Sequence, residues 1–145
     1  MAATLFTIGY EGKTQAEFLQ ELGQAGVRLV IDVRAVASSR RPGFAKTALS
    51  GGLREAGIDY RHLRALGTPK AGREAARRGN TSLMREIYAS QLATPEAELA
   101  FQEVRTLAAE AHTALLCFER DAPTCHRAMV AERLASLDGF GIVDL

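Results

Sequence analysis

Two thiols, an imidazole and a guanidinium are close together near the end of the chain, in the segment LLCFERDAPTCHRAMVAERL. Cys117 and Glu119 end an apolar run, and Cys125-His126-Arg127 begin a segment with helical periodicity. A cysteine in the first turn of a helix is a candidate nucleophile, because unpaired amides and the helix dipole lower the thiol pKa. We therefore expect Cys125 to be the nucleophile, His126 the proton carrier and Glu119 the general acid or base.

A second group of residues has the chemistry of an anion site. Arginines bind anions in a bidentate manner, and the start of a helix offers free amides for a phosphate. Asp32 is expected to orient these arginines, and aromatic rings could stack on a nucleotide base. The residues predicted to bind the ligand are Tyr10, Arg34, Ser38, Arg40, Phe44, Tyr60 and Arg127.

Other interpretations of the cysteines remain open. Cys117 is the alternative nucleophile because it ends a strand, and packing as a small apolar side chain is the competing interpretation for both thiols. A disulfide between Cys117 and Cys125 is geometrically feasible, but it would be transient in a reducing compartment. No metal site is predicted, because the thiols are not in a short Cys-x-x-Cys motif and Cys125 and His126 would diverge by about 100° on a helix.

Periodicity predicts strands alternating with helices along the chain. Thr14-x-x-Glu17 is a capping box that begins the first helix, which Gly26 ends. Strands are predicted at 5–10, 28–33, 58–63, 113–118 and 141–145. Further helices are predicted from Lys46 to Gly57, around 83–92, from Thr94-Pro95 to Ala111, and over 124–137.

This alternation indicates the α/β class. We expect residues 1–145 to form a single domain with a mostly parallel sheet of about 4–5 strands and helices on both faces, in a Rossmann-like three-layer arrangement. Such sheets bind ligands beyond the carboxyl ends of their strands. The candidate residues follow strands, so we expect them to meet at that edge.

Composition restricts the class of protein. The chain of 145 residues is 47% hydrophobic, enough for one buried core, and no apolar run reaches the roughly 20 residues of a membrane span. The N-terminus lacks the pattern of a signal peptide, and two cysteines are too few for a disulfide framework. A cytoplasmic protein without a membrane partner is therefore expected.

Charge is distributed unevenly along the chain. Residues 1–85 contain 14 Lys/Arg and 7 Asp/Glu, whereas residues 86–145 contain 4 and 10. The basic stretch 61–85 could bind a nucleic-acid backbone, or it could be a solvated surface that meets the acidic second half. It includes GTPKAGREAARRGNT, which is predicted to be a mobile loop or lid. The basic residues of this stretch are Arg61, Arg64, Lys70, Arg73, Arg77, Arg78 and Arg85.

Four segments of the chain resemble the domain of unknown function 488 family. They are TIGYEGKTQAEF, LVIDVRAVASSRRPGF, GIDYRHLRALG and LLCFERDAPTCHR, and the DVR and C-x-E-x(5)-CHR elements are the most specific. The resemblance extends from Thr7 to about Leu134 and implies an α/β fold. It implies no particular activity.

Three functions follow from these observations. The leading hypothesis is a small enzyme or ligand-binding domain that acts on a phosphorylated or nucleotide-like ligand. If the protein is an enzyme, a cysteine-dependent hydrolase or transferase is the expected class. The alternatives are a nucleic-acid-binding accessory protein that uses residues 61–85 and a non-catalytic interaction module. No Walker or dinucleotide glycine loop occurs, and neither a cofactor nor an oligomeric state can be read from the sequence.

Overall fold

The protein is described by a computed structural model that covers residues 3–145. These residues form five strands, six α-helices and two short 3-10 turns, at Arg64–Leu66 and Ala122–Thr124. The strands are β1 (Thr4–Gly9), β2 (Leu29–Asp32), β3 (Asp59–His62), β4 (Thr113–Cys117) and β5 (Gly141–Asp144). The helices are α1 (Gln15–Gln24), α2 (Lys46–Glu55), α3 (Lys70–Arg77), α4 (Thr81–Leu92), α5 (Pro95–Glu110) and α6 (Arg127–Asp138).

The strands form one parallel sheet in the order β3-β2-β4-β1-β5. β4 lies between β1 and β2, with Gly9 opposite Cys117 and Asp32 opposite Leu116. The loops that follow these three strands therefore leave the sheet side by side at its carboxyl edge. This register brings together segments that are distant in sequence.

Apolar side chains cover both faces of the sheet. On one face, Phe18 of α1 and Leu49 of α2 pack with Val30 of β2. On the other face, the buried residues of α4, α5 and α6 include Phe101, and they pack with Leu115 of β4. Each layer buries one face of the sheet, so the predicted three-layer α/β fold is confirmed.

Most predicted elements agree with the structure to within a few residues. The capping box is present at the start of α1, where Glu17 N–H donates to the Thr14 hydroxyl and the Glu17 carboxylate accepts from Thr14 N–H. Thr14 and Glu17 thus satisfy two amides that the helix itself leaves unpaired. α5 begins at Pro95 behind a Thr94 cap, as the Thr-Pro pair predicts.

The loop predicted within the basic stretch is wrong as secondary structure. Residues 70–77 form helix α3, which is followed directly by α4 from Thr81. The buried residues of α3 are Gly72 and Ala75. Because these side chains are small, the helix packs without the large apolar stripe on which the sequence argument relied.

The predicted helix 124–137 begins too early. Ala122–Thr124 form a 3-10 turn, Cys125 is extended, and α6 starts at Arg127 with His126 as its N-cap. The two cysteines therefore flank a turn between β4 and α6.

Among the helices of residues 3–145, none is long and apolar enough to cross a membrane.

Candidate functional site

A cavity of about 120 Å³ opens at the carboxyl edge of the sheet, where β1, β2 and β4 end. It lies where ligands bind in open parallel sheets. A larger depression of about 600 Å³ lies among the residues that begin β2 and β3, at the opposite edge. The carboxyl-edge cavity is lined by Tyr10, Arg34, Ala35, Val36, Thr68, Arg73, Cys117, Phe118, Glu119 and His126.

Asp32 and Arg34 form a buried ion pair beside this cavity. The Asp32 carboxylate accepts from Arg34 Nη2 at 2.7 Å, from Arg34 Nε at 2.9 Å and from the Tyr60 hydroxyl at 2.6 Å. Burial alone would lower the pKa of Arg34, but the hydrogen bonds and the charge of Asp32 outweigh it and raise that pKa. Burial and the Asp32 carboxylate raise the pKa of Tyr60. Arg34 is therefore a fixed cation, and Asp32 holds its orientation.

Two of the three aromatic residues predicted to stack on a base, Tyr10 and Phe44, stack on each other instead. The rings of Tyr10 and Phe44 are stacked with their centroids 4.5 Å apart, and Phe44 is fully buried. Tyr10 lines the cavity, whereas Phe44 does not and Tyr60 lies behind Asp32. Ser38 and Arg40 are exposed and also lie outside the cavity lining. Of the predicted ligand-binding residues, the structure brings Tyr10 and Arg34 to the cavity.

Arg127 lies behind the cavity wall and is fully buried. Its guanidinium donates to the Glu119 carbonyl at 2.6 Å, to the Arg120 carbonyl at 3.2 Å and to the sulfur of Cys117 at 3.2 Å. Burial lowers its pKa, and longer-range attraction from acidic residues opposes this effect. Gly9 permits this packing, since a Cβ there would overlap the Glu119 carbonyl oxygen.

His126 is held in one tautomer by a distant carbonyl. Its Nε2 lies 2.6 Å from the Val33 carbonyl oxygen, which can only accept, so Nε2 carries the proton. Nδ1 then presents a lone pair, 3.7 Å from the sulfur of Cys125. Burial lowers the pKa of His126 to about 4, so the imidazole is neutral near pH 7. The edge of the Tyr88 ring also packs against it.

The two cysteines converge on this imidazole. Both are buried, and their sulfurs are joined as a disulfide in this structure. Cys117 lines the cavity, whereas Cys125 lies behind it. The cysteine at the cavity is therefore Cys117, although the sequence favoured Cys125 as the nucleophile.

Glu119 is the acidic group of the cavity. Burial raises the pKa of its carboxyl group. Its Oε2 lies 3.6 Å from the sulfur of Cys117. A carboxyl group with a raised pKa beside a sulfur is a candidate to exchange a proton with a bound molecule.

Among the polar residues of the cavity, Thr68 and Arg73 were not predicted from the sequence to line it. The Thr68 hydroxyl is buried and has no hydrogen-bond partner among residues 3–145, and Arg73 Nη1 donates to the Thr68 carbonyl at 2.9 Å. Both belong to the stretch predicted to be a loop. The close approach of Gly67 to Ala35, where a Cβ would overlap backbone atoms, places this stretch against the end of β2.

The basic stretch 61–85 is only partly free to bind an external anion. Arg61 pairs with Glu103 at 2.8 Å and Arg85 with Glu132 at 3.1 Å. These contacts join the basic first half of the chain to the acidic second half. The exposed cations of the stretch without an ion pair among residues 3–145 are Arg64, Lys70, Arg77 and Arg78.

Comparison with known proteins identifies a family but no activity. Neither a curated protein nor a solved structure matches the chain significantly. The family model described as Domain of unknown function DUF488 matches residues 14–134, which include every residue of the cavity lining except Tyr10. The chain therefore belongs to the family of the domain of unknown function 488.

Proposed function

We propose that this chain is a small enzyme that binds a ligand through a phosphate-sized anionic group in the carboxyl-edge cavity. The observation that carries the proposal is that residues with two guanidinium groups, a hydroxyl, a carboxyl group and a cysteine sulfur line one cavity. Few structural roles require these groups to face one space. The cysteine-dependent transferases and hydrolases are the reaction classes that match this set.

The anionic group is bound by Arg34, Arg73 and Thr68. Arg34 is fixed by Asp32, so little side-chain entropy is lost when it meets an anion. Thr68 precedes α3, whose first amides have no side-chain cap, and its hydroxyl is free to donate. A cavity of about 120 Å³ has room for one tetrahedral anion but not for a whole nucleotide.

The remainder of the ligand extends over an apolar rim. Val36 and Phe118 line the cavity and are 53% and 40% exposed, so they form an apolar rim beside the polar groups. Phe118 also packs edge-on against Tyr10, with ring centroids 5.3 Å apart. The ligand class is thus a small phosphorylated molecule with an apolar or aromatic part.

Cys117 is the nucleophile of this proposal, and it replaces Cys125 in that role. Cys117 lines the cavity, and in the reduced chain the buried Arg127 guanidinium beside its sulfur favours the thiolate over the thiol. Glu119 supplies or accepts the proton. His126 is not free for this role at neutral pH because its Nε2 proton is committed to the Val33 carbonyl.

Binding of inorganic phosphate to the reduced, metal-free chain tests the anion site. We expect Arg73→Gln to weaken binding roughly 10- to 100-fold, the equivalent of about 1.5–3 kcal/mol for a charge-assisted hydrogen bond. Arg77→Gln is the matched control, since Arg77 lies one turn further along α3 and is exposed. Calorimetric titration measures both. Equal affinities for the two variants, or no phosphate binding by the wild type, would end the proposal.

A nucleic-acid-binding function is the second candidate. One observation favours it: α3 and its C-cap carry Lys70, Arg77 and Arg78 as exposed cations without ion-pair partners among the described residues. Such a surface binds phosphate backbones through charge and is sensitive to salt. The cavity chemistry has no part in this function, so the two candidates can be tested separately.

A further inference from the structure

We propose that, in the reduced protein, Cys117, Cys125 and His126 bind one thiophilic divalent cation of the Zn²⁺ type. The observation that points to this site is that the two sulfurs and a ring nitrogen of His126 all lie within 4.8 Å of one another in the core. The proposal goes beyond ligand binding, because it concerns the floor of the cavity and not the guanidinium groups that bind the anion.

The turn before α6 makes this convergence geometrically feasible. Two adjacent helical residues would point about 100° apart and could hardly share an ion. Cys125, however, is extended, with φ −116° and ψ 145°, and the helix begins only after His126. Cys125 and His126 are therefore not two adjacent residues of one helix, and both can reach a single ion.

The separation between the Cys125 sulfur and a ring nitrogen of His126 suits a tetrahedral ion, and the two sulfurs, joined here as a disulfide, separate on reduction. Bonds of about 2.3 Å to sulfur and about 2.0–2.1 Å to nitrogen place neighbouring ligand atoms roughly 3.6 Å apart. The sulfur of Cys125 lies 3.7 Å from Nδ1 of His126. The Cα atoms of Cys117 and Cys125 are 7.3 Å apart, which leaves room for two separate thiolates around one ion.

The surroundings of His126 are those of a metal ligand. Histidines that bind metals usually donate their other ring N–H to a carbonyl or a carboxylate, which fixes the ring and its tautomer. His126 does so through Nε2 to the Val33 carbonyl at 2.6 Å. This leaves the Nδ1 lone pair directed toward the sulfur of Cys125, where it can bind the same ion as the thiolate.

The local charges also favour a cation bound by two thiolates. Arg127 is a buried cation without an ion pair among residues 3–145, and its Nη1 donates to the sulfur of Cys117. Two thiolates and a divalent ion sum to zero charge, so the bound ion adds no net charge to the core, and Arg127 keeps its longer-range attraction to Asp144 and Glu119. N–H donors to thiolate sulfur are the kind of outer contact that tunes such sites.

The fourth coordination position faces the ligand cavity. Cys117 and His126 both line the cavity, and Glu119 lies beside Cys117. Three protein ligands with one open position are the arrangement of catalytic zinc, whereas structural zinc has four. When the ion is bound, Cys117 acts as a ligand and no longer as a free nucleophile, and the anionic group of the proposed ligand can bind the ion directly. Thiolate and imidazole ligands favour Zn²⁺ over Mg²⁺ or Ca²⁺.

The first measurement needs no variant. The full chain, reduced with a phosphine and freed of metal, is titrated with Co²⁺, whose absorption reports thiolate bonds and tetrahedral geometry. We expect one Co²⁺ per chain with a thiolate-to-metal band that one equivalent of Zn²⁺ removes. The same chain oxidised with glutathione disulfide should show no band, since its sulfurs are then joined. A band of equal strength in the oxidised chain, or none in the reduced chain, overturns the proposal.

Variants then assign the ligands. Cys125→Ser and His126→Gln should each weaken Zn²⁺ binding at least 100-fold in competition with a chromophoric chelator, and His112→Gln is the control because His112 is exposed. Circular dichroism checks that each variant is folded. Undiminished affinity in a folded Cys125→Ser or His126→Gln variant overturns the assignment. Phosphate binding is measured on the metal-free chain, so the metal site and the proposed function can fail independently.

Discussion

The Arg127 guanidinium lies 3.2 Å from the sulfur of Cys117, inside the core, and it forms no ion pair among residues 3–145. An isolated buried charge is costly, so the structure must compensate for it. Two backbone carbonyls do so in part, and they also fix the turn that carries Glu119 and Arg120. In the reduced chain, a thiolate at Cys117 is expected to complete the compensation. This pair connects the packing of the turn to the chemistry of the cavity.

Replacing Arg127 with lysine should therefore affect both stability and reactivity. A lysine cannot reach the two carbonyls and the sulfur together, because it lacks the planar fork. We expect a loss of about 1.5–3 kcal/mol in the free energy of unfolding, the scale of hydrogen bonds to a charged group. The pKa of the Cys117 thiol should rise. Urea denaturation and the pH dependence of alkylation measure the two effects, with exposed Arg120→Lys as the control. An Arg127→Lys protein with wild-type stability would contradict this account.

The two cysteines should differ in reactivity in the reduced, metal-free chain. Cys117 lines the cavity and lies beside a cation, whereas Cys125 is buried behind it and faces a neutral imidazole. We expect iodoacetamide to modify Cys117 at least tenfold faster than Cys125, as measured by mass spectrometry of Cys125→Ser and Cys117→Ser proteins. Faster modification of Cys125 would return the nucleophile role to that residue.

Metal should protect the thiols from modification. If both sulfurs bind an ion, one equivalent of Zn²⁺ should slow alkylation of the wild type by roughly tenfold or more, and a chelator should restore the original rate. Mg²⁺ is the control ion, since thiolates bind it poorly. Protection by Mg²⁺ equal to that by Zn²⁺ would show that the effect does not come from thiolate coordination.

The fold could be predicted because its elements are encoded locally. β2 and β4 are buried along their whole length, so their continuous apolar runs were informative, and the Thr14–Glu17 box is a contact between near neighbours. α3 was missed because its buried side chains are small. The turn at Cys125 was missed for a different reason: the Val33 carbonyl that holds His126 belongs to the loop after β2, and no local pattern reports such a distant bond.

The site was predictable as a location but only partly as a set of residues. Strand ends in a parallel sheet must meet at one edge, so the convergence of Arg34 with Glu119 followed from the class of fold. Which side chains face the cavity depends on packing that the sequence does not express. The Phe44 ring stacks on Tyr10, and the Arg127 guanidinium donates to two carbonyls of the β4–α6 turn. Neither residue lines the cavity.

Breaking the buried pair of Asp32 and Arg34 should be strongly destabilising. Asp32→Asn leaves the Arg34 cation buried without a counter-charge, and such losses amount to about 3–5 kcal/mol. Tyr60→Phe removes a hydrogen bond to the same carboxylate but leaves the pair intact, so it should cost only about 1–2 kcal/mol. Urea denaturation of the two variants tests this order. Equal destabilisation would mean that the pair itself contributes little.

Salt dependence should separate the two candidate functions. If α3 binds single-stranded or duplex nucleic acid, log affinity should fall with log salt concentration by about 0.7–0.9 per phosphate contacted. Replacing Lys70, Arg77 and Arg78 by glutamine should then reduce that slope by about 2–3. Phosphate binding in the cavity should be unchanged in this variant, since none of the three residues lines the cavity. Fluorescence anisotropy with a labelled oligonucleotide provides the measurement, and an unchanged slope would exclude α3 as the contact surface.

The buried neutral His126 should make stability depend on pH. Burial lowers its pKa from 6.5 to about 4, so the unfolded chain binds a proton that the folded chain does not accept. The part of the free energy of unfolding that comes from the neutral His126 is fully present above pH 6.5 and is lost as the pH falls from 6.5 toward 4. Its full size is about 3 kcal/mol, from a shift of roughly 2.5 pKa units at 1.36 kcal/mol each.

Substitution of His126 by glutamine should remove this dependence. Glutamine can still donate to the Val33 carbonyl, but it does not titrate. The free energy of unfolding of the wild type, measured by urea denaturation of the reduced, metal-free chain, should therefore fall by roughly 2 kcal/mol between pH 6.5 and pH 5 relative to His126→Gln. The difference between the two proteins isolates this histidine from the other titrating groups. His112→Gln should follow the wild type, since His112 is exposed. Parallel curves of unfolding free energy against pH for the wild type and His126→Gln would contradict this account. They would mean that His126 is protonated as readily in the folded chain as in the unfolded one. The proposed metal site requires a neutral His126 with its proton on Nε2, so it would be contradicted as well.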